Sequence, residues 1–140
     1  MAFSVIDTNV LVSALLSQKN DAATVQILGK MIEGEITPIY SAAIMREYRE
    51  VLFREKFTFP KNMLDNLLSG IEEIGIEVKP APSGITLPDM DDVPFYEAVL
   101  ERNTSGAYLV TGNIKHFPQE PFIVTPRQML DIVLGDFRFG

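Results

Sequence analysis

Ala2-Phe3-Ser4-Val5-Ile6-Asp7-Thr8-Asn9-Val10-Leu11-Val12 opens the chain with an apolar run that ends on an acid. Ala2 to Ile6 is short, apolar and β-branched toward its end, which reads as a buried strand. From Thr8–Asn9 the period changes. Val10, Leu11, Ala14 and Leu15 form an i, i+1, i+4, i+5 stripe, which predicts a helix. A strand delivering its last residue into a helix start is the opening of a β–α unit, and such units in succession build a parallel sheet.

The rest of the chain repeats this alternation. Asn20–Asp21 offer capping residues for a helix with Val25, Leu28 and Ile32 on one face, closed by Gly34 before a strand from Ile36 to Tyr40. Ser41 caps a helix whose Ile44, Tyr48, Val51 and Leu52 repeat at i, i+4, i+7 and i+8. Pro60 starts a further helix through Leu64, Leu67, Leu68 and Ile71 to Gly75, and Ile76 to Val78 reads as a third strand. After the loop Lys79 to Pro88, a helix is expected from near Asp92 to about Asn103. Ala107 to Thr111, apolar on both faces, is the fourth strand and is expected to be central. Phe122 to Val124 is the fifth, and Thr125-Pro126 opens a last helix to Leu134. One domain over 1–134 with a short tail over 135–140 follows, its two phenylalanines, Phe137 and Phe139, free to pack on the core or on a second subunit.

Composition narrows the chemistry. A chain of 140 residues fits one domain and can bury a sizeable core without staples. There is no Cys and only one His, so disulfides, thiolate sites and structural zinc are excluded. A metal here must be held by oxygen, which points to magnesium, manganese or calcium. No apolar run reaches the roughly 20 residues of a membrane span. The N-terminus lacks a basic region and meets Asp7 too early for a signal peptide, so a cytoplasmic location is expected. The net charge of −7 argues against a broad grip on nucleic acid, leaving room for one small basic patch near a cation-binding centre.

Ligands of parallel α/β sheets bind at the carboxyl ends of the strands, so the acidic residues at those ends carry the functional question. Asp7 follows the first strand and is either a helix N-cap or a ligand. Glu47 lies roughly 100° from the centre of its helix's apolar stripe, at the border of the buried face, where it could enter a cleft or simply pair with an arginine. Asp89-Met90-Asp91-Asp92 is the densest acidic cluster, and two adjacent carboxylates before one helix exceed what a cap needs. Thr111 and Asn113 stand just past the fourth strand, where the plain reading is a Gly-Asn turn. His116 follows in a loop, as a structural residue or a member of the site. Arg46, Arg49, Arg54 and Lys115 lie near these motifs as phosphate contacts or as ordinary surface charges.

With these segments in view, the sequence resembles the PIN domain. The likeness rests on Val5-Ile6-Asp7-Thr8-Asn9-Val10-Leu11-Val12, Glu47-Tyr48-Arg49-Glu50-Val51-Leu52, Asp89 to Phe95, Tyr108 to Phe117, and Pro121 to Arg127. Within the family it is most similar to the bacterial branch of VapC-like toxin components of toxin–antitoxin systems. The resemblance implies a three-layer α/β/α fold with a five-stranded parallel sheet. It further implies an Mg2+- or Mn2+-dependent endoribonuclease, often a homodimer inhibited by a small antitoxin protein. Family roles carry over to Asp7, Glu47 and Asp91 or Asp92 as metal ligands, and to Thr8 or Asn9 and Thr111 as polar neighbours. Many PIN domains have a further Asp where this chain has Asn113, which removes one formal charge and points to a single resident metal joined by a second with substrate. In that reading Asn113 orients a water.

Two other readings fit parts of the sequence. An aspartyl-phosphate enzyme would also use an acid after a strand, but Asn9 stands where the dehalogenase type needs a second Asp. A receiver domain needs its acid after a middle strand. The other reading is a non-catalytic PIN-like binding module with a degenerate acidic pocket, favoured by Asn113 and the net charge.

Overall fold

Five parallel strands in the order β3-β2-β1-β4-β5 form one sheet, with β1 over Ala2–Ile6, β2 over Ile36–Tyr40, β3 over Ile76–Glu77, β4 over Tyr108–Val110 and β5 over Ile123–Val124. This computed structural model describes residues 2–139, with side chains as far as residue 135. Six α-helices accompany the strands: α1 Thr8–Leu16, α2 Ala23–Ile32, α3 Ala42–Leu52, α4 Lys61–Ile74, α5 Val93–Leu100 and α6 Pro126–Phe139. Together they make the expected three-layer α/β/α fold. The centre of the sheet differs from the sequence reading. β1 occupies it and β4 lies beside β1, because a double-sided apolar pattern marks an interior strand without saying which one.

β1 runs in register with β2 on one side, Val5 opposite Ile39, and with β4 on the other, Val5 opposite Leu109. Those three side chains are essentially inaccessible to solvent, as expected for strands covered on both faces. Among the helices α2 packs on α1 and α6, while α3 packs on α4 and α5. Tyr48, Leu52, Leu64 and Leu68 from the second group are wholly buried.

Local chemistry places most helix ends as the sequence predicts. Ser41 caps α3 by accepting from the Ile44 N–H at 3.2 Å. Thr125 and Gln128 form a reciprocal capping box at the start of α6, each side chain accepting from the other's N–H. Gly34 leaves α2 with φ of 84°, a left-handed conformation that glycine adopts at little cost. Gly75 is required for another reason: a Cβ there would stand 2.6 Å from the Ile71 carbonyl oxygen and 2.7 Å from that of Pro38.

Several boundaries shift. The second helix begins at Ala23 rather than at Asn20–Asp21, and α5 ends at Leu100, followed by a separate 3-10 turn over Asn103–Ser105. α6 continues past Leu134 to Phe139, since Gly135 weakens a helix without breaking it. The Phe137 and Phe139 side chains lie outside the described residues.

Candidate functional site

In this strand order the chain leaves β1 in one direction across the sheet and returns to β4 on the other side, so the crossover reverses between β1 and β4. A crevice opens at their carboxyl ends. The first residue beyond β1 is Asp7, and the first beyond β4 is Thr111. They meet across the reversal: the Thr111 hydroxyl donates to Asp7 Oδ2 at 2.7 Å, although 104 positions separate them. Both residues are buried.

The geometry bears on the N-cap reading of Asp7. It occupies the N-cap position of α1 but makes no side-chain capping bond. Its carboxylate turns instead toward Thr111 and toward the Asn9 side-chain amide, which donates at 3.1 Å. Asn9 Oδ1 in turn accepts from the Gly112 N–H at 3.2 Å, and the Asn113 N–H donates to the Thr111 hydroxyl oxygen at 3.0 Å. Asp7 is thereby held in one orientation by both strand ends. Burial pushes its carboxyl above the usual range; the Thr111 hydroxyl, the nearby amides of Asn9 and Thr8, and the more distant His116 pull it back. Beside it, Thr8 Oγ1 is buried without a hydrogen-bond partner.

Asp91 and Asp92 part company. Asp89 takes the capping role, its Oδ1 accepting from the Asp91 N–H at 3.0 Å in the 3-10 turn Met90–Asp92. Asp92, at the N-cap position of α5, makes no capping bond. Its side chain is only 13% exposed and stands 3.3 Å from His116 Nδ1. Burial first, then the charges of Asp7 and Asp89, push the Asp92 carboxyl up to about 6, against the opposing pull of His116. Asp91 is exposed, and its charge acts on Glu47. The Glu47 carboxyl is raised by partial burial and then by the charges of Asp91, Glu50 and Asp89, with Arg54 opposing.

The acidic residues therefore form an inner pair, Asp7 with Asp92, and an outer pair, Glu47 with Asp91, with Asp89 near both. Among the described residues no three acidic or histidine side chains are drawn into a ready-made coordination shell. The donor chemistry nevertheless suits a hard divalent cation: every group is an oxygen, and neighbouring like charges add to burial in raising Asp92 and Glu47.

The basic residues separate as well. Arg49 pairs with Asp65 at 3.3 Å and Arg54 with Glu50 at 3.2 Å, both at the surface. Arg46 and Lys115 are exposed and form no ion pair among the described residues. Asn113 contributes its backbone N–H to the site, while its side chain is exposed and makes no hydrogen bond among the described residues. Tyr48 is a participant that its place in an apolar stripe hides. Its hydroxyl donates to the Ile6 carbonyl, tying α3 to the residue before Asp7.

A doubly wound sheet with a buried carboxylate at its reversal point, backed by further acids at the same rim, is an α/β protein with its candidate site at the topological switch point. The sequence profile of the PIN domain matches residues 4–115, about four-fifths of the chain and including every acid described above, so the chain belongs to the PIN-domain family. PIN domains are generally nucleases and usually use divalent metal ions. Neither the curated proteins nor the solved structures contain a match to it.

Proposed function

We propose that this PIN domain is an Mg2+- or Mn2+-dependent endoribonuclease that hydrolyses phosphodiester bonds in RNA. The observation that carries the reading is the buried Asp7, locked between the ends of β1 and β4 by Thr111 and Asn9, with Asp92 charged against it. Asp7 stands at the N-cap without a side-chain capping bond and reaches across to Thr111 beyond β4, and a solvated acid would not be buried. Asp7, Asp92, Glu47 and Asp91 are the residues that would hold the cation. When bound, the cation supplies a polarised phosphate oxygen and an activated water.

The remaining roles belong to the chain itself. Thr111 and Asn9 orient Asp7. His116 steadies Asp92 through the 3.3 Å contact. Arg46 and Lys115, unpaired among the described residues, offer positive charge to the RNA backbone on an otherwise acidic surface. The Asn113 amide would orient a water. In the cell the chain would act in the cytoplasm as the toxin of a toxin–antitoxin pair, as a homodimer neutralised by a small antitoxin protein. The resemblance of its motifs to VapC-like sequences supports that finer assignment.

The test is cleavage of a single-stranded RNA by purified protein. Cleavage is expected with manganese or magnesium, lost with EDTA, and lost in a folded Asp7→Asn variant. No cleavage by the metal-supplied wild type across a panel of RNAs would favour a binding module instead, the reading to which the uncharged Asn113 lends weight.

A further inference from the structure

A groove of about 620 Å³ begins where the acidic rim ends. That volume lies within the roughly 300–1,000 Å³ of small-molecule sites. Thr8 and Asn9, the two residues after Asp7, form its inner end, and Val12, Leu16, Val51 and Phe57 supply apolar walls. Its inner end holds an unanswered polar atom: Thr8 is 6% exposed and its hydroxyl has no partner.

The far wall is built at a cost. Thr58, β-branched, sits in the left-handed region at φ 54°, a conformation such residues avoid and that occurs where surrounding structure enforces it. Its consequence is a stacked pair on either side of it, with the Phe57 and Phe59 rings 5.3 Å apart and only 9° from parallel. Phe59 packs against the core, whereas Phe57 is half-buried and lines the groove. Lys56 Nζ lies 5.1 Å from the Phe57 ring centre. An aromatic ring backed by a second ring, with a mobile ammonium beside it, is the equipment that stacks a base and neutralises its phosphate.

We infer that this groove receives an unpaired nucleobase of the RNA, next to the phosphate held at Asp7, with Phe57 as the stacking platform. The base replaces Lys56 on the ring, and the released ammonium meets the backbone. Thr8 Oγ1, shielded from solvent and without a partner among the described residues, would have to turn into the groove to meet the base edge or its ribose. The inference deepens the nuclease reading and rests on it for the identity of the ligand. It favours unpaired over paired positions, because a paired base enters only after leaving its stack, at a cost in free energy.

The experiment uses full-length wild type, Phe57→Leu and Phe57→Trp, each checked for an unchanged melting transition. The probe is a single-stranded RNA oligonucleotide with 2-aminopurine walked along its length. Binding is titrated in calcium, and cleavage of the same oligonucleotides is followed in manganese. With wild type, one position should lose its fluorescence on binding. Phe57→Leu should abolish that loss and raise Kd about tenfold or more, the effect of one lost base–aromatic stack. Phe57→Trp should restore both. An abasic residue at that position should weaken wild type equally and Phe57→Leu no further. Equal RNA binding by wild type and Phe57→Leu, or an abasic penalty that survives in Phe57→Leu, overturns the inference and leaves the groove to a protein partner. Failure of the nuclease reading looks different: no RNA is cleaved in any metal, whereas the fluorescence titration still decides the groove.

Discussion

Replacing Asp7 by Asn should make the protein more stable and inactive at once. The carboxylate is 4% exposed and accepts two hydrogen bonds, from Thr111 at 2.7 Å and from Asn9 at 3.1 Å. An asparagine carbonyl can accept both, so each bond falls from a charge-assisted strength of about 1.5–3 kcal/mol to about 1 kcal/mol. The loss on that side is about 1–4 kcal/mol. Against it stands relief of the burial penalty, several kcal/mol per ion in real proteins, and removal of repulsion from Asp92. The net gain is about 1–3 kcal/mol in metal-free protein, which at about 3 °C per kcal/mol raises Tm by about 3–9 °C. Cleavage should fall at least about 100-fold, since even outer partners of metal ligands are worth 10–100-fold. The assay pairs thermal melts in EDTA and in manganese with single-turnover RNA cleavage. Wild type should gain Tm from manganese and Asp7→Asn should not. A metal-free Asp7→Asn protein that melts below wild type would show that the buried charge is compensated in a way the hydrogen bonds do not reveal, and the reasoning would fail.

Three further outcomes follow from the same geometry. The Asp92 carboxyl titrates near 6 folded against 3.8 unfolded, so the folded state holds the extra proton between those values, and metal-free stability should decline as pH rises from about 4 to 6. The full shift corresponds to about 3 kcal/mol; screening at a partly open rim reduces it to about 1 kcal/mol, readable as the pH dependence of the denaturant midpoint and smaller in Asp92→Asn, where the raised Asp7 and Glu47 remain. Glu47→Gln removes the repulsion with Asp91 and should leave metal-free Tm within about 2 °C while weakening manganese binding about 10–100-fold; calorimetric titration with an unchanged Kd would remove Glu47 from the site. Gly75→Ala forces a methyl against two backbone oxygens that cannot swing aside, and should cost about 1–3 kcal/mol, a fall of about 3–9 °C in Tm; an unchanged melt would mean that the α4–β3 junction yields freely.

The sequence carries the fold well because the period of its apolar residues switches cleanly between two and 3.6. The placement of Asp7 was legible for the same reason, since a residue immediately after a parallel strand can only lie at the rim. Whether that acid capped its helix was not legible. Thr111, 104 residues away, decides it. Asp91 and Asp92 could not be told apart from spacing, because the tight turn begun by Asp89 determines which side chain goes inward. Tyr48 reads as one more apolar position in α3, and its hydroxyl bond to Ile6 exists only once α3 lies against β1. Phe57 had no periodic neighbours to give it meaning; its role depends on a left-handed threonine that no local propensity favours. Arg49 and Arg54 were plausible phosphate contacts by sequence proximity and proved to be ordinary surface pairs.

The bond between the ends of β1 and β4 also sets a schedule for the newborn chain. Asp7 leaves the ribosome well before its partner Thr111, 104 residues further on, and β4 must dock beside β1 before the two can meet. Until then the first acid hangs in water without its mates, and an interrupted translation product carries the motif but not the workshop. If the proposed activity holds, the site is incomplete until β4 has been made and has docked beside β1.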